Sequence, residues 1–184
     1  MSPEFYLSIF LGASFSHGLL IADPPGSPEN SLPFKTANYE PVGRAAIGAS
    51  MGNWGLEIGA GNLAKRQQSR QFTGADPEGD TSGFNYTLLE ADVRARYRFG
   101  LGGKWEGYGE VGIALIRWRS EQWQPARWGW VSKSGYQLAP QVGAGIGYAL
   151  SPAWSIGAGA TYTPAISDLP SVWQMGAGLR YTFR

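Results

Sequence analysis

The chain has no cysteine, so no disulfide and no thiolate metal site can hold it together. Charge is also scarce: 16% of residues are charged, and 15 Lys and Arg stand against 14 Asp and Glu. The resulting net charge of +1 gives no reason to expect a nucleic-acid partner. There is one histidine, His17. Long apolar runs are missing too. The run "IALI" at Ile113–Ile116 is among the longest, whereas a membrane-spanning helix needs about 18–20 apolar residues. No signal peptide opens the chain, and Met1-Ser2-Pro3 leads almost directly into patterned sequence, as expected of a mature form given a new start Met or of a naturally leaderless protein. Phosphate-loop and zinc motifs are absent, and "GLGG" at 100–103 reads as a turn, so no cofactor is expected. A chain of 184 residues predicts a single domain, 1–184.

What the chain has is glycine, 27 residues of it, together with eight Trp and a strict period of two. In "LLEADVRARYRFG" (88–100), Glu90, Asp92, Arg94, Arg96 and Arg98 alternate with Leu89, Ala91, Val93, Ala95, Tyr97 and Phe99. Successive strand side chains point to opposite faces, so this segment has one ionic face and one oily face. Seven more segments alternate in the same way: 4–16, 43–51, 54–62, 105–116, 136–150, 154–163 and 172–183. Their second face is mostly Gly, Ser, Thr and Ala. Three connections are tight, near Gly52-Asn53, Gly100–Lys104 and Leu150–Ala153. Four are long and polar: His17–Pro41, roughly Phe72–Gly83, roughly Ser120–Lys133, and Pro164–Ser171. Eight strands with alternating short and long connections predict an all-β, eight-stranded antiparallel up-and-down transmembrane β-barrel. Its short turns would be periplasmic and its four long loops extracellular.

The oily face must then look outward. A soluble barrel would put it inside, and the Gly-rich face would make a poor solvated surface. Aromatic residues also gather at both ends of the oily stripes. Phe5, Trp54, Tyr97, Phe99, Trp105, Tyr148, Trp154, Tyr181 and Phe183 lie near the short turns, and Phe15, Tyr136, Tyr162 and Trp173 toward the long loops. Two such belts are what membrane interfaces select. Parity sends Glu4, Glu57, Glu90, Asp92, Glu106 and Glu110 into the lumen, with Arg44, Arg94, Arg96, Arg98 and Arg180. Unpaired charges in a narrow interior cost several kcal/mol each, roughly, so a paired network that fills the lumen is expected. Lumen-facing Gly143 is expected to tolerate Ser.

The C-terminal "MGAGLRYTFR", with Leu179, Tyr181 and Phe183 at alternating positions, resembles the outer-membrane insertion signal, although Arg184 follows the terminal Phe. "GYALSPAWSIGAGATY" (147–162) resembles the penultimate hairpin of the small OmpA/NspA/Opa-type barrels, and "LLEADVRARYRF" resembles their fourth strand. The resemblance implies residence in the bacterial outer membrane and insertion by the barrel-assembly machinery. It also implies a role in envelope integrity, adhesion to a host or surface ligand at the loops, or evasion of host defences.

Catalysis has one candidate. His17 in "ASFSHGLL" has Ser14 and Ser16 nearby, and a Ser–His pair would suit acyl transfer by a lipid A hydrolase. Parity opposes this, because His17 shares the outward face with Phe15 while the two serines point inward. "ADPEGD" (75–80) offers oxygen ligands for calcium without the full spacing of a calcium loop. The acids Asp76, Glu78 and Asp80 read as solvated loop charges rather than a protease site. No catalytic residue is expected. A basic set, Lys65, Arg66, Arg70, Arg117, Arg119, Arg127 and Lys133, falls just beyond the oily stripes at the long-loop end. There it would meet lipopolysaccharide phosphates, to which Arg offers bidentate contacts, or simply form the solvated ends of the strands. Trp123, Trp128 and Trp130 would make a binding patch with Arg127, or else rest on headgroups or on loop 17–41. The expected protein is a structural or surface-interaction barrel in outer-membrane lipid, with a lipid hydrolase or a narrow ion channel as the alternatives.

Overall fold

A computed structural model describes residues 2–17, 39–71, 81–124, 129–167 and 169–183; of these, side chains 17, 39, 65–71, 81–84, 122–124 and 129–131 are left out of the description. The eight strands are β1 (Glu4–His17), β2 (Tyr39–Met51), β3 (Trp54–Gln71), β4 (Thr81–Gly102), β5 (Trp105–Gln124), β6 (Gly129–Ala149), β7 (Trp154–Thr163) and β8 (Ser171–Thr182). Each pairs antiparallel with its sequence neighbours. β1 also pairs with β8, Ile9 opposite Leu179, which closes the barrel.

Burial is inverted relative to a water-soluble protein. Ile47, Ile113, Leu138 and Leu11 are 59–68% exposed, while Glu57, Glu90 and Asp92 are at most 4% exposed. An apolar surface that encircles the whole molecule is stable only against hydrocarbon. Closure leaves no strand edge within that belt, as lipid requires. At the short-turn rim three cross-strand Trp–Tyr pairs recur around the barrel. Trp54–Tyr97 and Trp105–Tyr148 have centroids 4.9 Å apart, and Trp154–Tyr181 4.7 Å. Each of these tryptophans opens the strand that follows a tight turn. Tyr162 and Trp173, 4.7 Å apart, stand at the opposite rim.

The tight turns have local causes. Gly52 and Gly103 take φ of 61° and 59°, a region that costs a residue with a Cβ energy and glycine little. At the third turn the Ser151 hydroxyl accepts from the backbone N–H of Trp154 at 3.1 Å and of Ala153 at 3.3 Å.

The long-loop end departs from expectation in two ways. First, β3 to β6 have 18, 22, 20 and 21 residues, whereas β7 has 10, about the minimum to cross a bilayer. The expected loop at Ser120–Lys133 is largely strand, paired up to Gln124↔Gly129. Backbone pairing continues whatever the polarity of the side chains, so a loop-like composition hid the ladder. Second, the upper lumen is mostly apolar, although Glu40 is buried there near Tyr86. Leu63, Ala64, Tyr86, Leu88, Ala114, Ile116, Ala139, Leu169 and Val172 form a buried cluster. A register shift between Asn62 and Ala64 lets Leu63 and Ala64 both bury, which strict alternation forbids.

Candidate functional site: the ionic lumen

Below the apolar cluster the inward residues of β4 meet those of six other strands, and β1 joins through Glu57 on β3. Arg44 on β2 forks onto Asp92, Nε to Oδ2 at 2.8 Å and Nη2 to Oδ1 at 2.6 Å, and its Nη1 donates to Glu57 on β3. Arg94 donates to Asp92 at 3.0 Å and to Glu110 on β5 at 2.9 Å, and stands 3.5 Å from Glu90. Arg96 donates to the other Glu110 oxygen at 2.8 Å and lies 3.7 Å from Glu57.

Neutral groups complete the set. The Thr161 hydroxyl on β7 accepts from Arg94 at 3.2 Å and donates to Glu110 at 3.1 Å. Gln141 on β6 donates to Glu90 at 2.8 Å and to Thr163 at 3.1 Å. Gln174 on β8 reaches Glu90 at 3.5 Å, and Ser8 on β1 donates to Glu57 at 3.4 Å. All eight strands therefore contribute. Short, charge-assisted and partly bidentate bonds are the geometry in which buried ions offset their desolvation.

Of the ten residues expected in the lumen network, seven meet here: Arg44, Glu57, Glu90, Asp92, Arg94, Arg96 and Glu110. Arg98 and Glu106 stand apart near the short turns, 3.8 Å from each other, and Arg98 also donates to the Gly52 carbonyl at 3.1 Å. Arg180 has no carboxylate within salt-bridge distance among the described residues. Its guanidinium lies 3.7 Å above the Tyr6 ring. Glu4 is exposed at the rim. Gln141, Gln174, Thr161 and Thr163 were not expected in the network, although alternation places them inward. The signal was there: the two glutamines are large amides on faces otherwise made mostly of glycine.

Gly143 does not have the room expected of it. A Cβ there would meet Glu110 Oε1 at 2.8 Å and the Ala160 carbonyl at 2.9 Å. Glycine on β6 is what lets the Glu110 carboxylate lie against the wall.

At the long-loop end Arg117, Arg119 and Lys133 are exposed on the extended β5 and β6, and Arg119 pairs with Glu121 at 2.6 Å. The side chains of His17, Lys65, Arg66, Arg70, Trp123 and Trp130 lie outside the described residues, as do residues 75–80, Arg127 and Trp128.

The model for the outer membrane protein beta-barrel domain matches residues 27–183. Among solved structures, Neisserial surface protein A is similar with a TM-score of 0.65 at 14% identity, and all of both chains is covered. Ail of Yersinia pestis, in complex with the heparin analogue sucrose octasulfate, has a TM-score of 0.56 at 16% identity, covering 98% of this chain and 100% of that one. The N-terminal β-barrel domain of Pseudomonas aeruginosa OprF has a TM-score of 0.56 at 13% identity, covering 99% and 100%. No curated protein matches by sequence. With a closed lipid-facing barrel and a family match over most of its length, the chain belongs to the outer membrane protein β-barrel family and resides in the bacterial outer membrane.

Proposed function

We propose that this barrel is a sealed, non-catalytic outer-membrane protein that stabilises the envelope and acts through its long-loop rim. The single observation behind this reading is the ionic network drawn from all eight strands, capped on the long-loop side by a buried apolar cluster. Two stacked plugs of opposite chemistry leave little need for a pore. A lumen of eight strands is just wide enough for side chains to fill.

The rim supplies the partner. Arg117, Arg119 and Lys133 are exposed toward the long-loop end, and in this reading they meet lipopolysaccharide phosphates. In this reading Lys65, Arg66, Arg70 and Arg127 join them. A surface ligand carrying several negative charges suits the same cations; Ail, which shares the fold, has been crystallised with one. Phe183, exposed at the end of β8, is the group offered to the barrel-assembly machinery during insertion.

Refolded protein in planar bilayers is expected to show no steady conductance, and a stable open pore overturns the seal. His17→Ala is expected to leave the lipid A of producing cells unchanged by mass spectrometry; a His17-dependent loss of an acyl chain makes the protein a hydrolase instead. Replacing Arg117, Arg119 and Lys133 together by Gln is expected to weaken binding to lipopolysaccharide vesicles several-fold. Unchanged binding removes the rim as the contact.

A further inference from the structure

Beneath the ionic plug, toward the short turns, the lumen keeps a cavity of about 80 Å³. A single water needs roughly 10–15 Å³ of such space, so there is room for an ion with a few waters. The cavity exists because the two halves of the barrel differ. β4 and β5 send charged side chains inward, while β6, β7 and β8 present Gly147, Gly157, Gly159 and Gly178.

The cations bordering the cavity are unequally paired. Arg44, Arg94 and Arg96 line it with their guanidinium groups already bonded to Asp92, Glu57 and Glu110, whereas Arg180 lines it with no carboxylate within salt-bridge distance among the described residues. Glu106 is turned to Arg98 at 3.8 Å. Arg180 is therefore left with the Tyr6 ring, and its Nε is buried without a hydrogen-bond partner among the described residues. A partly buried guanidinium whose Nε is enclosed without a partner is costly, and a small anion relieves both the donor and the charge. Ser155, the cross-strand neighbour of Arg180, also lines the cavity and carries a hydroxyl donor.

We propose that this short-turn chamber binds one small inorganic anion of chloride size, with Arg180 as its principal ligand. The volume excludes a lipid headgroup. The site does not depend on the sealed-lumen reading, because a conducting barrel can hold the same ion.

The test is ³⁵Cl NMR line broadening of the full chain refolded in dodecyl maltoside, an uncharged detergent, with sodium chloride as the probe. Saturable broadening is expected. Arg180→Gln should weaken the apparent affinity at least tenfold. Ser155→Leu, which fills the chamber without changing charge, should do the same, and it decides the question if the first variant fails to fold by heat-modifiable gel migration. Lys104→Gln, at an exposed short turn outside the chamber, should leave the broadening unchanged. Absence of saturable broadening in the unsubstituted chain overturns the proposal. So does broadening that survives Arg180→Gln or Ser155→Leu in folded protein, and so does equal loss with Lys104→Gln, since the ion then sits elsewhere.

Discussion

The ionic plug makes an unequal demand on its acids and bases, and that inequality can be measured. Its core holds four carboxylates, Glu57, Glu90, Asp92 and Glu110, against three arginines, Arg44, Arg94 and Arg96. Removing one partner of a buried pair costs about 3–5 kcal/mol, chiefly because the other charge is left stranded. Asp92→Asn strands little. Arg44 keeps Glu57, Arg94 keeps Glu110, and the remaining charges stand three to three. Its cost should fall at the lower end, about 3 kcal/mol. Arg94→Met is different. It preserves most of the volume but takes the shared cation from Glu90, Asp92 and Glu110 at once, leaving four acids to two arginines. Its cost should reach the upper end, about 5 kcal/mol. The assay is reversible urea unfolding in lipid vesicles followed by Trp fluorescence, with an unchanged slope required before midpoints are compared. An Arg44→Met, Asp92→Asn double variant should lose less than the sum of its single changes, by about 0.5–3 kcal/mol. Equal losses for Asp92→Asn and Arg94→Met, or losses under about 1 kcal/mol for both, would show that the plug is hydrated and that its pairs carry little.

Two further predictions probe the two faces of the wall. Leu115 lies between Ala91 and Leu138 in the lipid-facing belt, so Leu115→Arg should cost roughly 2–4 kcal/mol in the same assay; a negligible loss would mean that this position is not near the bilayer midplane. Gly143→Ser should cost about 1–3 kcal/mol by overpacking against Glu110, whereas Gly109→Ala, where an added Cβ meets nothing within 4 Å, should be nearly neutral. Equal effects at the two glycines would refute the close wall contact.

How much of this was legible in the sequence depends on which physical rule governs each part. Alternation is local and strict, so the strands, their order and the outward oily face could be read from residue types alone. The strand extents could not. Residues Ser120–Gln124 and Gly129–Lys133 have a loop-like composition, yet they pair because the hairpin below them has already set the register. The apolar cap was half legible. Leu88 and Ile116 fall on the inward parity, but Leu63 and Ala64 are both buried only because the register slips beside them, and nothing in "GNLAK" announces a bulge.

The lumen separates parity from partnership. Alternation says that Arg44, Arg94, Arg96, Arg98 and Arg180 belong to one face of their strands, but not at what height each meets an acid. Height comes from register: Arg94 sits opposite Glu57 on one side and Gly112 on the other, and Arg96 sits opposite Glu110. Two residues further toward the turn, Arg98 faces Tyr108, and among the described residues its side chain reaches only Glu106 and the Gly52 carbonyl. Arg180 faces Ser8 and Ser155, with no acid beside it. A near balance of inward charges in the sequence thus hides a local imbalance. The acids crowd at the height of Asp92, and the last arginine is left below them. A charge count constrains the lumen as a whole, and only the strand register decides which cation goes unpaired.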